Sequence, residues 1–114
     1  SLNEVLIMLE VRHYLDREGR NPFLDWLQDL RDPIAKVAII RRLNRLEQSN
    51  FGDFKVLYQG VSELRIDTGP GYRIYFARSG KTVVLLLCAG IKRNQQHDIE
   101  RATSYWLDWA NRHN

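Results

Sequence analysis

Glu63-Leu64-Arg65-Ile66-Asp67-Thr68-Gly69-Pro70-Gly71-Tyr72-Arg73-Ile74-Tyr75-Phe76-Ala77 decides the fold. On both sides of Thr68-Gly69-Pro70-Gly71 the residues alternate with the period of two that belongs to a strand with one face buried. The four turn residues between them are a strong reversal signal. The stretch therefore reads as a hairpin. One face carries Leu64, Ile66, Ile74 and Phe76, and the other Glu63, Arg65, Arg73 and Tyr75. Arg78-Ser79-Gly80-Lys81 turns the chain again. Thr82–Ala89 is apolar on both faces, as a central strand covered on both sides must be. Gly90–Asn94 reads as a loop.

Before the hairpin, Val5–Arg12 alternates as a strand, and Glu18-Gly19-Arg20-Asn21 follows as a turn. Asn21-Pro22 supplies a helix N-cap and a first-turn proline, with Asp25 in the capping-box position. Asp32-Pro33 opens a second helix by the same chemistry. Its stripe Ile34, Val37, Ala38, Ile39, Ile40, Leu43 and Leu46 is wide enough to bury. Arg41, Asn44, Arg45 and Gln48 lie on the opposite side. After the last strand, Gln95–Asn111 reads as a closing helix with Ile99, Ala102, Tyr105, Trp106 and Trp109 on one side. The expected architecture is α+β: an antiparallel-rich sheet of about four strands, a helical hairpin behind it and a C-terminal helix. No internal repeat interrupts residues 1–114, which are expected to form a single domain.

The chain has 114 residues, 44% of them hydrophobic and 27% charged. This excludes a disordered or collagen-like chain. The longest uncharged apolar run near the N-terminus, Val5–Leu9, is far short of the ~18 residues that cross a bilayer. The single cysteine, Cys88, has no partner for an internal disulfide, so a reducing cytoplasmic setting without membrane attachment is expected. Net charge is only +3, but it is unevenly placed. Pro33–Leu46 contains Lys36, Arg41, Arg42 and Arg45 and no acid. Phe51–Arg93 holds Lys55, Arg65, Arg73, Arg78, Lys81, Lys92 and Arg93 against Asp53, Glu63 and Asp67. Such asymmetry suits a polyanion or an acidic protein partner, and equally a solvated basic surface.

His13, His97 and His113 share no ligand spacing, and no Walker loop or nucleophile elbow is present, so neither metal nor cofactor is expected. Cys88 reads as a small buried hydrophobe. What remains is a cationic face. Arg65 and Arg73 project from neighbouring strands on one side, and two guanidiniums so placed need an anion or carboxylate between them. Either Glu63 and Asp67 satisfy them on a solvated face, or they hold a phosphate, with Lys92 and Arg93 closing the open end. Lys55 is a further cation. Arg41 and Arg45, with Arg42, form either a solvated helix face or a contact to RNA or an acidic segment.

Three runs carry a resemblance. They are Glu63–Ile66, Gly69–Phe76 with its Gly-Pro-Gly-Tyr-Arg turn, and Val84–Arg93 ending in Lys92-Arg93. Together with Phe23–Leu27, Asn50–Lys55 and Gln96–Ile99, they resemble the RelE/ParE toxin superfamily, most closely its HigB-like addiction-module branch. The resemblance implies a RelE-like fold and the toxin of a type II toxin–antitoxin system. Its partners would be a cognate helix-turn-helix antitoxin, the ribosome and mRNA. The implied activity is a metal-independent mRNA endoribonuclease that halts translation. In that chemistry the ribose 2′-hydroxyl attacks its own 3′-phosphate while cations stabilise the phosphorane. Arg65, Arg73 and Lys92 match the family's basic positions. Glu63 is the candidate base and His97 the candidate acid. Lys55, Arg93, Arg41 and Arg45 are the candidate RNA contacts. The tyrosine that RelE-like members carry near the C-terminal end has no counterpart here, where Ile99 falls close to that position. ParE-like members act on DNA gyrase instead, and a non-toxic module bound only to its antitoxin is a third reading.

Overall fold

A computed structural model describes residues 8–113. The elements run β1 (Glu10–His13), α1 (Pro22–Asp29), α2 (Pro33–Glu47), β2 (Phe54–Val56), β3 (Val61–Ile66), β4 (Tyr72–Ser79), β5 (Val83–Ile91), a 3-10 turn (Lys92–Asn94) and α3 (Gln95–Arg112). The architecture is α+β, with a five-stranded mixed sheet in the order β1-β5-β4-β3-β2. The expected count of about four strands misses β2, a three-residue exposed edge strand paired antiparallel with β3. β1 adds to β5 in parallel, because α1 and α2 carry the chain across one face before it re-enters the sheet. Val5, Leu6 and Ile7 of the expected first strand lie outside the described residues. Gly90 and Ile91, expected in a loop, continue β5.

The helix starts follow from their caps. Asn21 Oδ1 accepts from Leu24 N at 3.0 Å, and Asp32 Oδ1 accepts from Ile34 N at 3.0 Å and Ala35 N at 3.2 Å. Each such cap stabilises its helix by about 1 kcal/mol. α1 and α2 cover the face of Leu64, Ile66, Tyr72, Ile74 and Phe76, where Phe23, Ala35, Ile39 and Leu46 complete one core. The sheet's opposite face holds a second core of Val61, Tyr75, Leu85, Leu87 and Cys88 beneath Ile99 and Ala102 of α3. A β-bulge joins the two. Tyr75 opposes Cys88 but Phe76 opposes Leu86, so Leu87 is the extra residue. Leu87 and Cys88 consequently face the same side, and Ala89 returns to the first core.

α2 buries less than its sequence pattern implies. Ala35, Ile39 and Leu46 are buried, whereas Ile34 is 72%, Val37 48% and Ile40 47% exposed. The helix touches the sheet along a narrow seam, and the flank of the expected stripe faces water.

Candidate functional site

The hairpin register brings the expected residues into two cross-strand rows. Arg65 pairs with Arg73, and Glu63 pairs with Tyr75 on one side and Lys55 on the other. The face is not the solvated one anticipated from sequence. α3 packs over it, leaving Glu63 fully buried and the Arg73 side chain 7% exposed. Each arginine has a carboxylate. Arg65 Nε donates to Glu63 Oε1 at 3.1 Å. Arg73 Nη1 donates to the Tyr72 carbonyl at 3.1 Å and faces Asp67 at 3.9 Å. Both arginines thus have a carboxylate beside them, Glu63 buried and Asp67 exposed.

Gly71, with φ +80°, sets the turn and lets Lys92 close against it. The Lys92 amide donates to the Gly71 carbonyl at 2.9 Å, and a Cβ on Gly71 would meet Lys92 Cβ at 3.3 Å. Arg73 and the exposed Lys92 thus flank one turn. Beside them the start of α3 reaches Glu63. Gln95 Nε2 donates to Glu63 Oε2 at 3.0 Å and Oε1 at 3.3 Å. Sequence reasoning did not single out Gln95. Asp98, three residues on, turns the same way and is buried. Its Oδ1 pairs with Arg101 at 3.3 Å, and among the described residues Oδ2 has no hydrogen-bond partner. Burial holds the Asp98 carboxyl above its usual range, against the pull of Arg101 and His97. Burial likewise raises the Tyr75 phenol, with Glu63 and Asp98 adding to the effect. It pushes the Cys88 thiol up to about 12, which leaves that residue an unreactive part of the core. His97 lies off the inward face of α3 and is exposed, as is Arg93.

The larger cationic feature lies on the other side of β3. Arg41, Arg42 and Arg45 of α2 meet Arg65, Asp53, Asp67, Ala38 and Ile66 around an open cleft of about 360 Å³. Arg42 forms its frame. Nη1 donates to the Arg65 carbonyl at 2.6 Å, and Nη2 to the Phe51 and Asp53 carbonyls at 2.9 and 2.8 Å. Burial pushes its guanidinium below the usual value. Arg41 and Arg45, one helical turn apart, are exposed and make no ion pair among the described residues. Arg65 also lines the cleft, while its side chain is one-third exposed and is bonded through Nε to Glu63 on the α3 face. The structure therefore brings together Arg41, Arg45 and Arg65, which are distant in sequence, while Arg93 and His97 do not line the cleft. Guanidinium edges so arranged suit the planar oxygens of phosphates or carboxylates.

A family model described as phage-derived protein Gp49-like matches residues 25–105, from α1 through most of α3. The chain belongs to this Gp49-like family. It is a RelE-like toxin family of addiction modules. The Gp49-like chain is also 45% identical over 80 residues to an uncharacterized protein of Haemophilus influenzae, a match covering 70% of this chain and 81% of that one. Among the described residues of the Gp49-like chain, no helix is long and apolar enough to cross a membrane.

Proposed function

We propose that this chain is the toxin of a type II toxin–antitoxin pair, of the HigB-like kind, and that it cleaves mRNA on the ribosome in the cytosol without a metal. A helix-turn-helix antitoxin is its proposed partner. The supporting observation is the cleft lined by the exposed, unpaired Arg41 and Arg45 and by Arg65, whose Nη groups make no hydrogen bond among the described residues. Arg41 and Arg45 would grip flanking phosphates. Arg65 would oppose the charge that builds on the phosphorane when the 2′-hydroxyl attacks, the interaction that contributes most in such sites. Lys92, exposed beside the Gly71 turn and outside the cleft, is proposed as a further phosphate contact. Burial changes the part proposed for Glu63. A carboxylate sealed under α3 and bonded to Arg65 and Gln95 is placed to aim Arg65, not to take a proton from RNA. His97, exposed on the first turn of α3, does not line the cleft, so the 2′-hydroxyl proton is proposed to pass to water and the leaving 5′-oxygen to take a proton from water.

The same burial favours a second reading, a ParE-like toxin that binds gyrase without cutting RNA, since neither Glu63 nor Arg73 is open to substrate. Induced expression separates the two. Translation arrest with mRNA cut at codon positions supports RNA cleavage. DNA damage with filamentation supports the gyrase reading. Unaffected growth removes both.

A further inference from the structure

We propose that Gln95 is a positioning residue that sets the direction of Arg65 by fixing Glu63, an inference that rests on the RNA-binding reading of the cleft. Glu63 is fully buried, and among the described residues its oxygens receive three hydrogen bonds from two side chains. Arg65 Nε supplies one and the Gln95 amide supplies two. Gln95 stands at the first position of α3, so its amide is anchored by a long helix packed on the second core. The carboxylate is held from the helix side and turns its remaining capacity to Arg65 Nε. That bond fixes the plane of the guanidinium, whose Nη groups make no hydrogen bond among the described residues on a side chain one-third exposed at the rim of the cleft.

Without the amide, Oε2 of a buried carboxylate has lost its donor, which is costly enough to force rearrangement. Arg65 already bonds this carboxylate through Nε, and its unbonded Nη groups are donors that can turn to it. Turning them inward would satisfy Glu63 and withdraw them from an incoming phosphate. Gln95 thus controls an RNA contact without touching RNA. Its chemistry is specific, because the site needs a neutral donor. The groups facing Glu63 are Lys55 across β2, Arg65 on its own strand, Tyr75 on β4 and Gln95 on α3, with Asp98 and Arg73 beyond Tyr75. A glutamate at position 95 would place a second carboxylate against the first. One of the two would then titrate at a raised pKa.

The test is fluorescence-anisotropy binding of a single-stranded RNA oligonucleotide to the purified chain and its Gln95→Leu, Arg65→Ala and double variants, with thermal melting alongside. Arg65→Ala is expected to weaken binding by about tenfold, Gln95→Leu by about three- to tenfold, and the double variant no more than Arg65→Ala alone, because the two act through one contact. Gln95→Glu adds a reading independent of folding yield. Its affinity should recover as pH falls from 8 to 5, when the new carboxyl becomes a donor, while wild type changes little. If Arg65→Ala weakens binding but Gln95→Leu does not, or the two losses add, the positioning role is wrong and the cleft stands. If Gln95→Glu shows the wild-type pH profile, the positioning role is also wrong. If Arg65→Ala binds as wild type does, the RNA reading of the cleft falls and takes the positioning role with it.

Discussion

Replacing Gly90 by alanine probes how tightly α3 closes the candidate site. Gly90 lies on β5 opposite Arg73, under the inward face of α3. A Cβ built there would stand 2.8 Å from Asp98 Cγ and closer still to Oδ2. The Asp98 side chain is 5% exposed, so the carboxylate cannot swing into solvent. Helix or strand must shift instead. Such overpacking costs about 1–3 kcal/mol, which for a chain of this size lowers Tm by roughly 4–12 °C. Asp98→Ala removes the obstructing carboxylate, so Gly90→Ala/Asp98→Ala should melt above Gly90→Ala alone. The coupling between the sites should be about 1 kcal/mol or more. Differential scanning calorimetry of the four proteins checks this. A Gly90→Ala protein melting within about 2 °C of wild type, or strictly additive losses, would refute the packing of Asp98 on β5.

Two further outcomes follow from the same geometry. Burial raises the folded-state pKa of Asp98, so the native state binds that proton more tightly than the unfolded chain. The resulting cost to stability is absent below the ordinary carboxylate pKa and grows as pH rises through the raised value. Asp98→Asn should therefore melt higher than wild type at pH 7, and the gap should close below about pH 4. A gap independent of pH would contradict the assignment. Arg42→Ala, which strips donors from three carbonyls, should lose about 2 kcal/mol in urea unfolding. Arg41→Ala, exposed and unpaired among the described residues, should unfold within about 0.5 kcal/mol of wild type yet bind RNA more weakly. Equal stability losses would erase the distinction between frame and ligand.

Local chemistry made much of the fold legible. Asn21-Pro22 and Asp32-Pro33 start helices wherever they occur with apolar runs behind them, and the alternation around Gly69-Pro70-Gly71 fixed the register of Arg65 against Arg73. The double-sided apolar run of β5 identified the central strand. β2 was hidden because its three residues are all exposed and carry no alternating signal. The site was legible as a set of cations and hidden as an arrangement. Whether Glu63 is solvated depends on a helix that begins 32 residues later. Arg41, Arg45 and Arg65 line one cleft because Arg42 ties α2 to the end of β3. Gln95 is a neutral residue at a helix start, and only its contact with Glu63 distinguishes it. Ile34, Val37 and Ile40 follow the periodicity of a buried face, which cannot reveal how wide the supporting surface is.

The most direct measurement of the central claim uses purified chain and ribosomes programmed with a defined mRNA, in a chelator concentration that leaves the ribosomes intact. Cleavage of the ribosome-bound mRNA is expected, with the 2′,3′-cyclic phosphate ends that 2′-hydroxyl attack produces. Arg65→Ala, which melts lower because buried Glu63 loses a donor but is assayed well below its Tm, is expected to be slowed by about a hundredfold or more, the size of effect expected from losing one transition-state charge contact. Intact mRNA with the wild-type chain, or full cleavage by Arg65→Ala, would contradict the claim.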